Sequence, residues 1–504
     1  LWLVLTPRTA DLAAAVYRAN LFSREGFAIW DNGWFAGHHV PGYSLVFPPL
    51  AAVFGPRTIG VASVLVSSAL FAHVLRRHAD RRRGLAAIWF ACAAAGDLFI
   101  GRLTFALGVT CAMACVAALS HRRAGVATLF AMLTAAASPV GGLLLALALT
   151  AGARQLPPRR RVELVAAPLV VAVTMSLLFP EGGTQPYGLG SAAAAAAIAI
   201  AVLLSLDPRH VALRRGAALY AAAVAGAYVV PSPMGSNVAR LGVLLAGPVL
   251  VLGVRRGYHR GRLAAIAVAI VVWQLWAPVS EAVKADTSGA TTAAYFQPLI
   301  DHLARLPVGR IEVVPTSTRW ESVYVAPHAA LARGWETQLD RRYNALFYRR
   351  HLDPAAYDRW LDRLGVSYVA LSDAPKERWG RTEAALLASR PSFLREVWRA
   401  PHWRLFAVEH TRPLVTGGTL TALAPDGFTV ATQRAGSLLV RIRYTTFWAA
   451  TGGACVSRAP DGFTLLQVPA KGRYAVRARW SIQALAHENA CAIVAGRRGP
   501  LAGP

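Results

Sequence analysis

Short basic hinges spaced along the first half of the chain decide most of what it can fold into. They read RRHADRRR (76–83), HRR (121–123), RQLPPRRR (154–161), DPRHVALRR (207–215) and RRGYHRGR (255–262). Apolar runs of membrane-spanning length separate them and recur from residue 57 to about residue 281. Arg-rich clusters between such runs mark cytoplasmic loops by the positive-inside rule. Composition agrees: 55% of the 504 residues are hydrophobic and 16% charged, an excess of apolar residue that a soluble chain of this size does not need. A formal charge of +27 would point a soluble protein toward nucleic acid. Here much of that charge sits in the hinges and no DNA- or RNA-binding module accompanies it, so nucleic acid is set aside as a partner. The expected setting is the plasma membrane, crossed several times.

Each pair of neighbouring hinges encloses one apolar hairpin with an outer turn of little charge. The turns are placed at Gly96-Asp97 followed by Gly101-Arg102, at residues 138–142 (SPVGG), at residues 179–187 (FPEGGTQPY) and at residues 231–237 (PSPMGSN). With a last run at 263–280, the pattern predicts about eleven spans. Residues 1–5 are read as the outer end of a truncated first one. The pieces 84–95, 124–137 and 143–153 fall short of the roughly 17 residues a full span needs and must borrow from their flanks.

This topology puts the first loop, 6–46, and everything after residue 283 outside. Residues 1–283 are expected to be a transmembrane domain. Residues 284–412 mix helix-like pieces (AAYFQPLIDHLARL, DPAAYDRWLDRLG) with strand-like ones (RIEVVPT, VSYVALS, WRLFAVEH) and predict an external α/β layer. Residues 413–504 have short strands and turns at Pro425-Asp426-Gly427, Gly436 and Pro460-Asp461-Gly462, which suit an antiparallel β-sandwich followed by a tail. Cys92, Cys111 and Cys115 fall in apolar spans as small buried thiols. Cys455 and Cys491 are both external, where an oxidising setting permits a disulfide. No CxxC or HExxH motif is present to suggest a zinc site.

Chemistry is sought among the isolated polar residues at the outer ends: Asp11, Arg18, His38, His39, Asp97, Arg102, Glu181, Gln185, Asn237 and Arg240. Arg102 and Arg240 stand where apolar runs begin, a costly place for a cation unless it snorkels or meets an anion. Asp11 and Arg18 lie about two helical turns apart and can share a face; an ordinary amphipathic interfacial helix with an acid near its N-terminus accounts for them equally well. Trp34 and Tyr43, with Trp30 and Phe35, read either as an interfacial aromatic belt or as rings that stack on a sugar.

Asp11 with Arg18, WDNGWFAGHHVPGYSLVFPPL (30–50), GRLTFALG (101–108), SPVGG (138–142) and PMGSNVARLG (233–242) together resemble the GT-C superfamily of polytopic membrane glycosyltransferases. The external part resembles soluble domains of actinobacterial multi-spanning envelope proteins in RWESVYVAP (319–327) and ARGWETQLDRRYNALFY (332–348). The resemblance implies transfer of a sugar from a polyprenyl-phosphate carrier to a cell-envelope glycan or lipid acceptor on the outer face. It implies Asp11 as general base and Arg102 or Arg240 on the departing phosphate. Trp320, Glu321, Trp335 and Asn344 are then candidates for sugar or acceptor contacts. This chain has one early Asp where many relatives carry an acidic pair. No cofactor is implied beyond the lipid-linked donor, and a divalent metal is neither called for nor excluded. The competing readings are a multi-spanning transporter and a non-catalytic envelope assembly protein. Few ionisable residues at mid-span and no clear two-fold repeat count against the transporter.

Overall fold

The computed structural model describes residues 2–76, 82–152 and 156–481. The chain divides into two compact units: Leu1–Arg24 with Pro41–Thr287, and Glu25–Val40 with Ser288–Pro504.

The first unit is helical. After Trp2–Leu5 comes Ala10–Glu25, a 16-residue helix that carries Asp11 and Arg18 two turns apart, as their spacing suggested. Phe47–Phe54 leads into Pro56–Leu75, and Gly55 (φ +83°) forms the joint because only glycine takes that conformation without strain. Six helical segments are long and apolar enough to cross a membrane by length and composition: Pro56–Leu75, Arg83–Ile100, Leu103–Ser120, Pro158–Leu178, Gly235–Gly253 and Arg260–Ala285. Ala124–Ala137, Pro139–Gly152 and Leu189–Ser205 are apolar but shorter. Val211–Val229 has 19 residues and carries Arg214 and Arg215 near its start. The chain is a multi-pass membrane protein.

One expected turn is corrected. Arg83–Ile100 runs unbroken through Gly96 and Asp97 and stops only at Gly101, whose φ of +92° closes the helix. A glycine inside a helix costs only about 1 kcal/mol relative to alanine, so Gly96 alone does not end one. The added turn gives the helix 18 residues and removes the apparent shortfall at 84–95.

The second unit opens with Ala293–Leu303 and builds a five-stranded sheet in the order Ala330–Leu331, Arg310–Val313, Val366–Ser372, Trp403–Val408, Leu394–Ala400. The first three strands are parallel and the last two join antiparallel. Pro354–Leu364 supplies the crossover into Val366–Ser372; Asp353 caps it by accepting from Ala356 N (3.0 Å), and Gly365 (φ +65°) closes it. Its Tyr357, Trp360 and Leu361 join Val366, Val369 and Phe406 in one core.

From Val415 onward the chain forms two four-stranded antiparallel sheets. Val430 and Val476 from one sheet and Val440 and Leu466 from the other share one apolar core. Cys455 is disulfide-bonded; Cys491, its expected partner, lies outside the described residues.

The boundaries shift in two places. The last helix of the first unit runs to Thr287 rather than ending at 283. Residues 25–40 belong to the second unit. Their hairpin pairs Trp30 with His39 and Asp31 with His38, and Trp30 enters the core of the two antiparallel sheets, edge-on to Trp448 at 5.5 Å.

Candidate functional site

Where Arg83–Ile100 ends, four residues compress into a tight crossing. A Cβ on Gly101 would lie 2.3 Å from Leu12 N, so only glycine lets the helix Ala10–Glu25 start there. Thr9 Oγ1 donates to Ile100 O (2.8 Å) and fixes the approach. The crossing puts Asp11, in the first turn of its helix, against Arg102, which caps Leu103–Ser120. Arg102 Nε donates to Asp11 Oδ2 at 3.2 Å, and Arg102 Nη1 stands 4.0 Å from Asp97 Oδ1. Both partners of the first pair keep about a quarter of their side-chain surface exposed (25% and 27%), so the pair is reachable from solvent.

Arg240, at the start of Ala239–Gly253, lies within electrostatic reach of Arg102, Asp11, Asp97 and Tyr43. Its guanidinium sits 5.0 Å from the centroid of the Phe105 ring. Its Nε is buried with no hydrogen-bond partner among the described residues. Arg18, one face of the helix along from Asp11, lies 3.7 Å over the Tyr43 ring, and Tyr43 is hydrogen-bonded with Thr104. Burial raises the Tyr43 phenol above its usual range, so it stays protonated as a donor.

Turns adjacent in sequence to these residues are tied to one another. Leu45 N donates to Ala136 O (2.8 Å). Gln185 ties two turns together, through its backbone N to Ser232 O (3.0 Å) and through Nε2 to Ser236 Oγ (3.2 Å). Glu181 lies in the loop that Gln185 anchors, and Asn237 donates to Pro233 O (3.3 Å), bracing the turn that launches Arg240. Asp11, Arg18, Tyr43, Asp97, Arg102 and Arg240 are thus gathered; Asn237 acts as a brace. Sequence reasoning missed Thr104 and Phe105, although both stand in GRLTFALG. An apolar ring directly beneath a cation is a pairing that only folding creates.

Below the cluster a cavity of about 1040 Å³ opens between the helices. Phe105, Gly141 and Leu241 line its cluster end, and Val116, Gly152 and Leu252 its other end. The eleven helical steps from Gly141 to Gly152 make it roughly 17 Å long at about 1.5 Å per step.

The remaining candidates lie in the second unit, and most are buried there. Trp34 is 0% exposed, with Nε1 donating to Ser322 O (3.3 Å) and Gly334 packed on its ring. A ring in that state has no face left for a sugar. His38 is buried, stacked on Trp34 and bonded through Nδ1 to Asp31 O (3.2 Å); His39 is half-buried and bonds Thr445 Oγ1 (3.1 Å). Trp320 is buried and stacks with Tyr324. Asn344 is buried, accepting from Trp360 Nε1 and donating to Asp340. Glu321 is buried and accepts from the backbone N and hydroxyl of Thr316. These five are held in the fold's interior because their polar atoms are matched there. Trp335 is half-buried, and its carbonyl accepts from Arg319 Nη1 (2.6 Å).

Sequence reasoning also missed the polar centre of this unit. Arg333 grips Asp340 in a bidentate pair (Nε–Oδ1 3.0 Å, Nη2–Oδ2 2.6 Å) and donates to Glu383 (3.2 Å), all but fully buried. Arg333 and Asp340 stand seven residues apart in ARGWETQLDRRYNALFY, and nothing in that spacing announces a buried ion pair.

No protein-family model matches the chain, and no curated protein matches it by sequence. Among solved structures it is similar to a crystal structure of ArnT from Cupriavidus metallidurans in the apo state, at TM-score 0.45 and 14% identity, covering 81% of this chain and 95% of that one. It is similar to the same protein bound to undecaprenyl phosphate at TM-score 0.44 and 13% identity, with the same coverage.

Proposed function

We propose that the chain is a membrane glycosyltransferase of the GT-C type, moving a sugar from a polyprenyl-phosphate carrier to an envelope glycan or lipid acceptor on the outer face. The observation that carries the reading is the accessible Asp11–Arg102 pair with Arg240 beside it, set at the end of an apolar cavity. An acid, two arginines and a greasy channel answer the separate needs of a hydroxyl nucleophile, a phosphate leaving group and a prenyl chain.

In this reading Asp11 accepts the proton of the acceptor hydroxyl as its oxygen bonds to the anomeric carbon. The bond from that carbon to the carrier phosphate breaks, and the electron pair leaves with the phosphate. Arg102 and Arg240 receive the growing negative charge; a guanidinium fork suits phosphate oxygens, and the orphaned Arg240 Nε has a donor to give. Phe105 supports Arg240 from below and lines the cavity where the carrier chain begins. Asp97 balances Arg102 from the other side.

Asp11→Asn tests the assignment. Transfer from a polyprenyl-phosphate sugar is expected to fall by about a hundredfold or more, the scale of a lost general base, with carrier binding kept. Wild-type turnover in that variant would remove Asp11 from the chemistry.

A further inference from the structure

The cavity has two unlike ends. Beyond the cluster end, its described lining is apolar until the hinge that precedes Val211–Val229, where Arg209, His210 and Arg215 enter the wall. Arg209 and His210 are exposed and Arg215 is half-buried, so the two guanidinium groups and the imidazole are available at the mouth. A second basic hinge is locked beside them. Leu206 pairs with Val254, Asp207 N donates to Gly253 O (2.8 Å), and Arg255 N donates to Ser205 O (3.1 Å). Arg255 and Arg256 therefore add to the positive field at the same end.

A single acid stands in this hinge: Asp207, whose Oδ1 accepts from Arg209 N (2.9 Å), against the charges of Arg209 and Arg215. Arg214 is turned inward onto Leu203 O and Leu206 O, so it braces the hinge. His210 is the N-cap of Val211–Val229 and makes no side-chain cap bond, so its ring is not committed to the helix end.

We propose that this hinge end of the cavity is a docking site for an anionic phospholipid, with its phosphate on Arg209, His210 and Arg215 and one acyl chain in the cavity. Charge complementarity selects an anionic headgroup. The apolar wall running from Val116 to Leu252 selects a lipid over a free phosphate. The headgroup site is separate from the Asp11–Arg102 cluster, at the far end of a cavity roughly 17 Å long; it stands whether or not the chain transfers sugars, and where it does, the acyl chain and the carrier chain compete for the same cavity.

The test uses the full chain, delipidated in detergent, titrated with phosphatidylglycerol, phosphatidylcholine, a polyprenyl phosphate or inorganic phosphate, and read by native mass spectrometry. One phosphatidylglycerol per chain is expected, bound at least about tenfold tighter than phosphatidylcholine and undisplaced by inorganic phosphate. Arg209→Ala with Arg215→Ala is expected to weaken it by about tenfold or more, as is filling the cavity with Ala148→Leu or Ala148→Trp. Arg255→Ala with Arg256→Ala is expected to weaken it less than either. Undiminished binding in both the charge and the filling variants overturns the site, as does equal binding of phosphatidylcholine. Preferential one-to-one retention of the polyprenyl phosphate on Arg209 and Arg215 overturns the choice of lipid.

Discussion

Glu321 shows how much a single residue depends on its surroundings. In RWESVYVAP it is a candidate for sugar or acceptor contact; in the structure it is 4% exposed and bonded to Thr316 through both oxygens. Burial pushes its carboxyl up to about 7, against the hydrogen bonds that favour the charged form. A carboxyl whose pKa is raised on folding binds its proton more tightly in the folded state. Its contribution is therefore fully present below the ordinary carboxylate range and is lost as pH rises through about 7. Glu321→Gln keeps the neutral shape without the titration. The stability difference between variant and wild type should change by up to about 3 kcal/mol between pH 4.5 and 7, measured as the pH dependence of the melting temperature. A difference that stays flat over that range would show that Glu321 is not protonated in the folded chain.

At the scale of helices, close approach is set by glycines whose role is invisible in a string of apolar letters. A Cβ on Gly247 would fall 2.1 Å from Trp89 Cε2, so Ala239–Gly253 packs directly on the indole of Arg83–Ile100. The same indole donates to Gln274 Oε1 (2.8 Å), and Gln274 Nε2 reaches Val243 O, so one tryptophan joins three helices. Gly247→Ala must push the ring aside and strain that link. A loss of about 1–3 kcal/mol is expected, read as a lower melting temperature in detergent, with Gly226→Ala, inside Val211–Val229 with open space around it, as the control that should gain up to about 1 kcal/mol. The spacing of hinges and apolar runs did foretell where most of these helices lie. It misplaced the turn at Gly96 because a glycine's letter is the same inside a helix and at its end, and only the φ of Gly101 distinguishes the two.

For the molecule as a whole, the segment 25–40 is the element that sequence order misassigns. It precedes the first long apolar helix, yet its atoms complete the second unit. Asn32 donates to Ala424 O and Gly427 O, Gly33 O accepts from Leu331 N, and Arg443 donates to the carbonyls of Phe35 and Ala36. Trp30 sits in the core of the antiparallel sheets and Ala36 in that of the mixed sheet. Residues 288–481 expressed without it should therefore melt at lower temperature and expose apolar surface. A peptide spanning 25–40 added in trans should raise the melting temperature again. No effect of the peptide would mean that the strap decorates the unit rather than completing it.

Hinge charges and run lengths were enough to establish a multi-pass helical protein with a mixed and then all-β region after it, because both signals are local: a basic loop and a 20-residue apolar run act through adjacent residues. The same patterns singled out Arg102 and Arg240 as costly cations where apolar runs begin, and Asp11 as an isolated acid sharing a helical face with Arg18. Their meeting was decided by tertiary structure, through the Gly101–Leu12 crossing that lays Asp11 on Arg102. The burial of Trp34, Glu321 and Asn344 was decided there too. Trp34 meets its partner 288 residues away, and even where the partners are near in sequence, as for Glu321 and Asn344, no local pattern records whether a polar group's hydrogen bonds will be met by water or by protein.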